Sequence, residues 1–290
     1  MFCFVCGTSP LLVKVGTTRG DGMSDPQPYE IYGIRYARHA GLPVPVYFER
    51  ESEHDTMVMD FFSWVAVGPD RTFVIDTGFN AEEAEFRGHE FLRCPTETLR
   101  ELGIDAAAAT DLILTHLHYD HAGNLDKFPN ATLHLQTKEM EFVTGRWMCT
   151  YNFRRPYQPD HLEIVLRAIY DRRAILYDGD AELAPGLSVH WVGGHTMGLQ
   201  VVRVFTRRGW VALATDAIHY YEELERSVPW TNVLDVPEML HAHDILRDIS
   251  ESTDHIVAAH DPRVLQQYPA PSKNLEGFAV RLDVDPLPLA

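Results

Sequence analysis

Cysteine is scarce in this chain. Only Cys3, Cys6, Cys94 and Cys149 occur in 290 residues, too few and too scattered to frame a disulfide fold, so a reducing compartment fits and a cytoplasmic location is expected. Cys3 and Cys6 form a CxxC pair, but the other two supply no second pair for a structural zinc site. Basic residues are in deficit too: 25 Lys and Arg against 42 Asp and Glu leave a formal charge of −17. Such a surface repels a phosphate backbone, which argues against nucleic acid as a partner. No apolar run approaches the roughly 18 residues needed to span a bilayer, so no membrane role is expected. The opening MFCFVCGTSPLLVKV is apolar, yet no basic region precedes it and no small-residue cleavage site comes after it, so it does not read as a signal peptide. No repeat of fixed period and no low-complexity tract interrupts the chain.

What is present describes an ordinary globular protein, with 45% hydrophobic and 23% charged residues and enough length for a large core. The Gly, Ser, Pro and Asp content of TTRGDGMSDPQ makes residues 1–28 an expected flexible lead-in, and residues 29–290 an expected single domain. Strand-like alternation begins at Tyr29, and DFFSWVAVG and RTFVIDTG read as a hairpin turning at Gly68 to Asp70. DLILT and ATLHLQ are strand runs, whereas ETLRELGI, TKEMEFVTG and PDHLEIVLRAIYDRRA have helical spacing. Further on, LSVHWVGG, LQVVRVFTRRG and WVALATDA are strands, VPEMLHAHDILRDIS is a helix and HIVAAH a closing strand. Strands grouped in both halves with helices between them predict an α/β fold of two packed sheets covered by helices.

The 15 histidines carry the chemistry, because imidazole is the commonest metal ligand. THLHYDHAGN comes directly after the strand DLILT and places three imidazoles and a carboxylate between His116 and His121. Alternate residues of an extended loop point the same way, so His116 and His118 can converge on one ion while Asp120 and His121, around the turn, face a second. Gly123 would let the backbone bend tightly there. Imidazole and carboxylate without thiolate favour two Zn2+ ions per chain, with Fe, Mn or Co as alternatives.

This motif, taken with the segments downstream of it, resembles the metallo-β-lactamase superfamily, whose members carry HxHxDH at the end of a strand in a four-layer αβ/βα sandwich. The resemblance runs from about Tyr29 to near the C-terminus. It implies that His195, in the loop GGHTMG, joins His116 and His118. It further implies that Asp216, near the end of WVALATDA, bridges both ions, and that His260, ending HIVAAH, joins Asp120 and His121. Asp76 in VIDTG matches another signature and reads as a residue that orients a ligand. Two cations sharing Asp216 could share a water, lower its pKa towards neutrality and polarise a carbonyl, so hydrolysis is expected. A binding protein that had lost its chemistry would be expected to lack ligands, and all seven candidates are present.

Within the superfamily, Asp216 together with His260 argues against the β-lactamase branch, which typically lacks the bridging carboxylate. The charge of −17 argues against the nucleases. The flavin-linked diiron branch would show Glu in place of the second His and a flavodoxin module. The order THLHYDHAGN, GGHTMG, TDAIHYYEEL, AAHDP is similar to the N-acyl-homoserine lactonase group, so a small-molecule lactone or related ester is the expected substrate. The alternative is a glyoxalase II-like thioesterase, but the final stretch is short and only Lys273 and Arg281 in it are basic. In lactonases of this group a Tyr three residues after the bridging Asp holds the lactone carbonyl; here His219 stands there, with Tyr220 and Tyr221 next. The resemblance thus assigns catalytic roles to Asp120, as proton donor to the leaving group, and to His219 or Tyr220, as donor to the developing oxyanion. Met57, Met59, Phe61, Phe62, Trp64, the segment RWMCTYNF from Arg146 to Phe153 with its Trp147, and Tyr221 are candidates for the substrate pocket or for the core. A homodimer is left open.

Overall fold

The computed structural model describes residues 26–288. The Cys3–Cys6 pair and nearly all of the expected lead-in lie outside them. The first sheet is built from β1 (Glu30–Pro43), β2 (Thr56–Val67), β3 (Thr72–Ile75), β4 (Glu90–Phe91), β5 (Asp111–Ile113), β6 (Thr132–Gln136) and β7 (Ala174–Tyr177). The second contains β8 (Ala181–Ala184), β9 (Leu187–Trp191), β10 (Gln200–Thr206), β11 (Gly209–Thr215) and β12 (Ile256–Ala258), and the chain then returns as β13 (Ala279–Arg281) to the first. Strand order is β13-β1-β2-β3-β5-β6-β7, with β4 also paired to β1, against β12-β11-β10-β9-β8.

Period-two alternation decides which side chains meet where. Phe62, Trp64, Phe73 and Ile75 project inward onto Val202, Val204, Val211 and Leu213 of the other sheet. Val65 and Val74, one residue out of phase, face outward onto Leu99, Phe142 and Val165, residues of the helices Pro95–Glu101, Thr137–Val143 and Pro159–Tyr170. On the far side Val201, Ala212 and Ala214 pack on Ala242 and Leu246 of the helix Val236–Ile249. The layers therefore run helix, sheet, sheet, helix, the expected αβ/βα sandwich. Each fully buried Val, Leu, Ile or Phe contributes roughly 1.5–3 kcal/mol. Among the described residues no helix is long and apolar enough to cross a membrane.

Three elements depart from the sequence reading. The helix expected over 159–174 ends at Tyr170, where Arg172 adopts φ 59° and the chain turns into β7. Strand β8 comes next without an alternating signal. HIVAAH is not the closing strand, because β13 pairs antiparallel with β1 through Tyr32 and Arg281.

Candidate metal centre

Four strand ends converge on one edge of the sandwich. The loops after β5, β9, β11 and β12 bring His116 to His121, His195, Asp216 and His260 together, and all seven candidate ligands are at most 8% exposed. Ligand atoms of His116, His118, His195 and Asp216 lie within 4.8 Å of one another, as do those of Asp120, His121 and His260. Asp216 stands between the two groups. Its Oδ1 is 3.1 Å from His121 Nε2 and 3.2 Å from His260 Nε2, and its Oδ2 is 3.2 Å from His195 Nε2 and 3.8 Å from His116 Nε2.

The backbone is shaped to make this possible. Gly123 donates to the carbonyl of Gly78 at 2.7 Å, and a Cβ there would lie 2.5 Å from that oxygen, so only glycine closes the loop. Thr215, β-branched and immediately before Asp216, is held at φ 47°, a left-handed conformation that costs about 1–3 kcal/mol and is tolerated where it aims a functional side chain. Asp76, at φ 57°, binds the first loop from beneath. Its carboxylate accepts the Thr115 amide at 2.8 Å, the Thr115 hydroxyl at 2.7 Å and His121 Nδ1 at 2.7 Å, which leaves His121 Nε2 directed at the cluster.

Electrostatics distinguish this cluster from a set of packed histidines. Burial drives His116 and His118 well below the ordinary imidazole range, aided by their neighbouring rings, and drives His195 down to about 3. Burial opposes ionisation of Asp216, yet His121, His219, His260 and His195 hold its carboxyl well below the usual range. Burial likewise disfavours the charged form of His121, but Asp216, Asp120 and Asp76 outweigh it and raise this ring well above its ordinary value. Nε2 of His116 and of His121 are buried without a hydrogen-bond partner. His116, His118 and His195, kept neutral around an ionised carboxylate, form a donor set that fits divalent cations, which bind deprotonated ligands, and His121 would give up its proton to join them.

A cavity of about 500 Å3 opens beside His118 and His195, walled by Phe142, Phe153, Tyr157 and Leu234, with Asn152 and Arg155 at hand. Of the residues proposed from sequence as pocket walls, Thr150, Asn152 and Phe153 line this cavity and the others go elsewhere. Phe62 and Trp64 belong to the core between the sheets, and Phe61 packs on Phe79 and, at 5.3 Å, on His260. Met57 and Met59 pack around Phe48. Trp147 is 44% exposed and not part of the cavity wall, whereas its neighbours Thr150, Asn152 and Phe153 are. Tyr221 lines a separate cavity of about 220 Å3. His219 joins the cluster, with Nε2 3.2 Å from Asp216 Oδ2. Tyr220 does not: its hydroxyl donates to the carbonyl of Val58 at 3.1 Å and its ring packs against Phe48 and Trp230.

A buried carboxylate beneath the two loops escaped sequence reasoning altogether. Glu139, 0% exposed, accepts the amide of Leu117 on Oε1 at 3.0 Å and that of Gly198 on Oε2 at 3.0 Å, joining the loop of His116 and His118 to the loop of His195. A Glu within TKEMEFV reads as a solvated helix position, so nothing local marks it.

The Asp76 arrangement has a measurable consequence. Asp76→Asn keeps the left-handed backbone and one acceptor but loses a carboxylate oxygen, and metal affinity should fall about 10- to 100-fold while the circular dichroism spectrum is retained. Chelator competition measures it, and unchanged affinity would mean that Asp76 does not set the orientation of His121.

The sequence profile of the metallo-beta-lactamase superfamily matches residues 62–260. An N-acyl homoserine lactonase of Bacillus cereus is 28% identical over 133 residues, covering 46% of this chain and 48% of that protein, so the chain spans about half the length of that relative. The N-acyl homoserine lactonase AttM of Rhizobium johnstonii is 28% identical over 213 residues, 67% of this chain and 79% of that one. Among solved structures, a quorum-quenching N-acyl homoserine lactone lactonase superposes with a TM-score of 0.67 at 20% identity, covering 82% of this chain and 94% of its own. AidC, described as a dizinc quorum-quenching lactonase, superposes with a TM-score of 0.61 at 17% identity, covering 82% and 90%; both likenesses speak to the fold.

Proposed function

The chain belongs to the metallo-beta-lactamase superfamily, and from that premise we propose that it is a dinuclear metal-dependent hydrolase that opens the ring of N-acyl homoserine lactones or closely related lactones. The observation that carries this reading is Asp216, whose two oxygens face two separate groups of buried ligand atoms beside a cavity of small-molecule size. Lactonases among the relatives favour the lactone over other esters. Divalent cations bound there would supply an acidified water as nucleophile and polarise the substrate carbonyl.

The chain's own groups do the rest. Asp216 would hold both cations at once, and Asp76 would keep His121 in the tautomer that presents Nε2. Phe142, Tyr157 and Leu234 would cover an acyl chain and exclude bulk water, which strengthens electrostatic interactions at the reacting bond. Asp120, whose Oδ2 faces His121 Nε2 at 3.7 Å and His260 Nε2 at 4.0 Å and would hold a cation through that oxygen, would take on its other oxygen the proton released by the attacking water and pass it to the alkoxide freed on ring opening.

A turnover panel on the metal-loaded protein tests the reading. Acyl-homoserine lactones and other lactones should be hydrolysed faster than S-acyl-glutathione or a β-lactam, with two cations measured per chain. Rapid thioester turnover with inert lactones would overturn it.

A further inference from the structure

His219 is as firmly built into the centre as any of the seven candidate ligands. It is 3% exposed, and its ring stacks on Trp230 at 5.1 Å and 23° and on His260 at 5.3 Å and 25°. Its amide donates to Glu223 Oε1 at 2.6 Å, and its carbonyl accepts the amide of His260 at 2.9 Å, so the two histidines are tied backbone to backbone.

Nε2 is placed as a ligand's would be. Nε2 lies 3.2 Å from Asp216 Oδ2, a separation like those of His121, His195 and His260 from the same carboxylate, at 3.1, 3.2 and 3.2 Å. Ligand atoms of Asp216, His219 and His260 lie within 4.8 Å of one another. On the other side of the ring, Nδ1 faces Glu223 Oε1 at 3.5 Å, and Glu223 is 0% exposed. His121 is arranged in a similar way, with Asp76 bonded to Nδ1 at 2.7 Å and Asp216 facing Nε2, whereas Glu223 faces Nδ1 of His219 without a hydrogen bond. A carboxylate on one nitrogen and a shared anion before the other is how proteins orient metal-ligating histidines. A donor to substrate would instead direct Nε2 into the cavity, yet His118 and His195 contribute to the cavity wall and His219 does not.

We propose that His219 is a direct ligand of a cation held with Asp216 and His260. The inference rests on the dinuclear reading and deepens it. The position that relatives of the lactonase group give to a substrate-holding Tyr here becomes part of the metal cage.

The test uses the whole chain, stripped with a chelator and titrated with Co2+. The unaltered protein should bind two ions, while His219→Phe, which keeps a ring against Trp230, should bind one as before and the other at least about tenfold more weakly. The visible spectrum of the weakened ion should change in shape and intensity. If His219→Phe does not fold, His219→Asn carries the same expectation. Two ions bound with unchanged affinity and an unchanged spectrum would overturn the proposal. An unaltered protein that binds no cation would overturn the dinuclear reading beneath it instead.

Discussion

Replacing Asp216 with Ala should take the cation content of the purified protein from two per chain to below one and lower kcat/KM by on the order of 1,000-fold. That factor corresponds to the several kcal/mol that a correctly held cation contributes to a hydrolytic transition state. The reason is geometric: His121 and His260 face Oδ1 while His195 faces Oδ2, all at 3.1 to 3.2 Å, so one substitution removes a donor from both groups. It also leaves buried imidazoles crowded together without their anion. Because cations stabilise only the folded state, added metal should raise the melting temperature of the unaltered protein but not of Asp216→Ala. Retention of two ions together with undiminished turnover would refute the bridging role.

The second large effect concerns stability and is expected at Glu139. Burial pushes its carboxyl above the usual range, while Thr196, the amides of Leu117 and Gly198, and the Tyr157 hydroxyl pull the other way. Glu139→Ala strands two buried amides and opens a cavity, a loss of about 2–5 kcal/mol, which lowers the melting temperature by on the order of 10 °C for a chain of this size. Glu139→Gln retains one acceptor oxygen and should recover part of that loss. Because both ligand loops depend on this carboxylate, cation affinity should fall in parallel with stability. A variant that melts earlier yet binds cations unchanged would limit Glu139 to packing.

The fold was readable in the sequence wherever burial imposes a period. Phe73 and Ile75 point between the sheets and Val74 points away, a pattern visible in RTFVIDTG alone. Strands β7 and β13 carry no such imprint: AILY is only partly covered, and Ala279–Arg281 is a strand because β1 lies beside it. The front of the centre was readable because ligation requires residue type and spacing together, and His116 to His121 supply both. Parity defeated the reading further on. His219 and Tyr220 are adjacent, so their side chains diverge, and which one faces the cluster depends on Thr215 entering a left-handed turn. Of the cavity wall only the stretch from Thr150 to Phe153 was readable; Phe142, Tyr157 and Leu234 come from three separate segments and meet only in the folded chain.

The two groups of ligand atoms draw on loops of both sheets, and this bears on biosynthesis. His116 to His121 leave the ribosome long before Asp216 and His260, and until β11 and β12 have joined the second sheet there is no shared carboxylate to compensate a second positive ion. Domains fold as units while the chain emerges from its N-terminus, so the proposed cations would load late, once the sandwich is complete. A chain ending before His260 would carry the recognisable front motif without the complete set of ligands proposed for a metal pair.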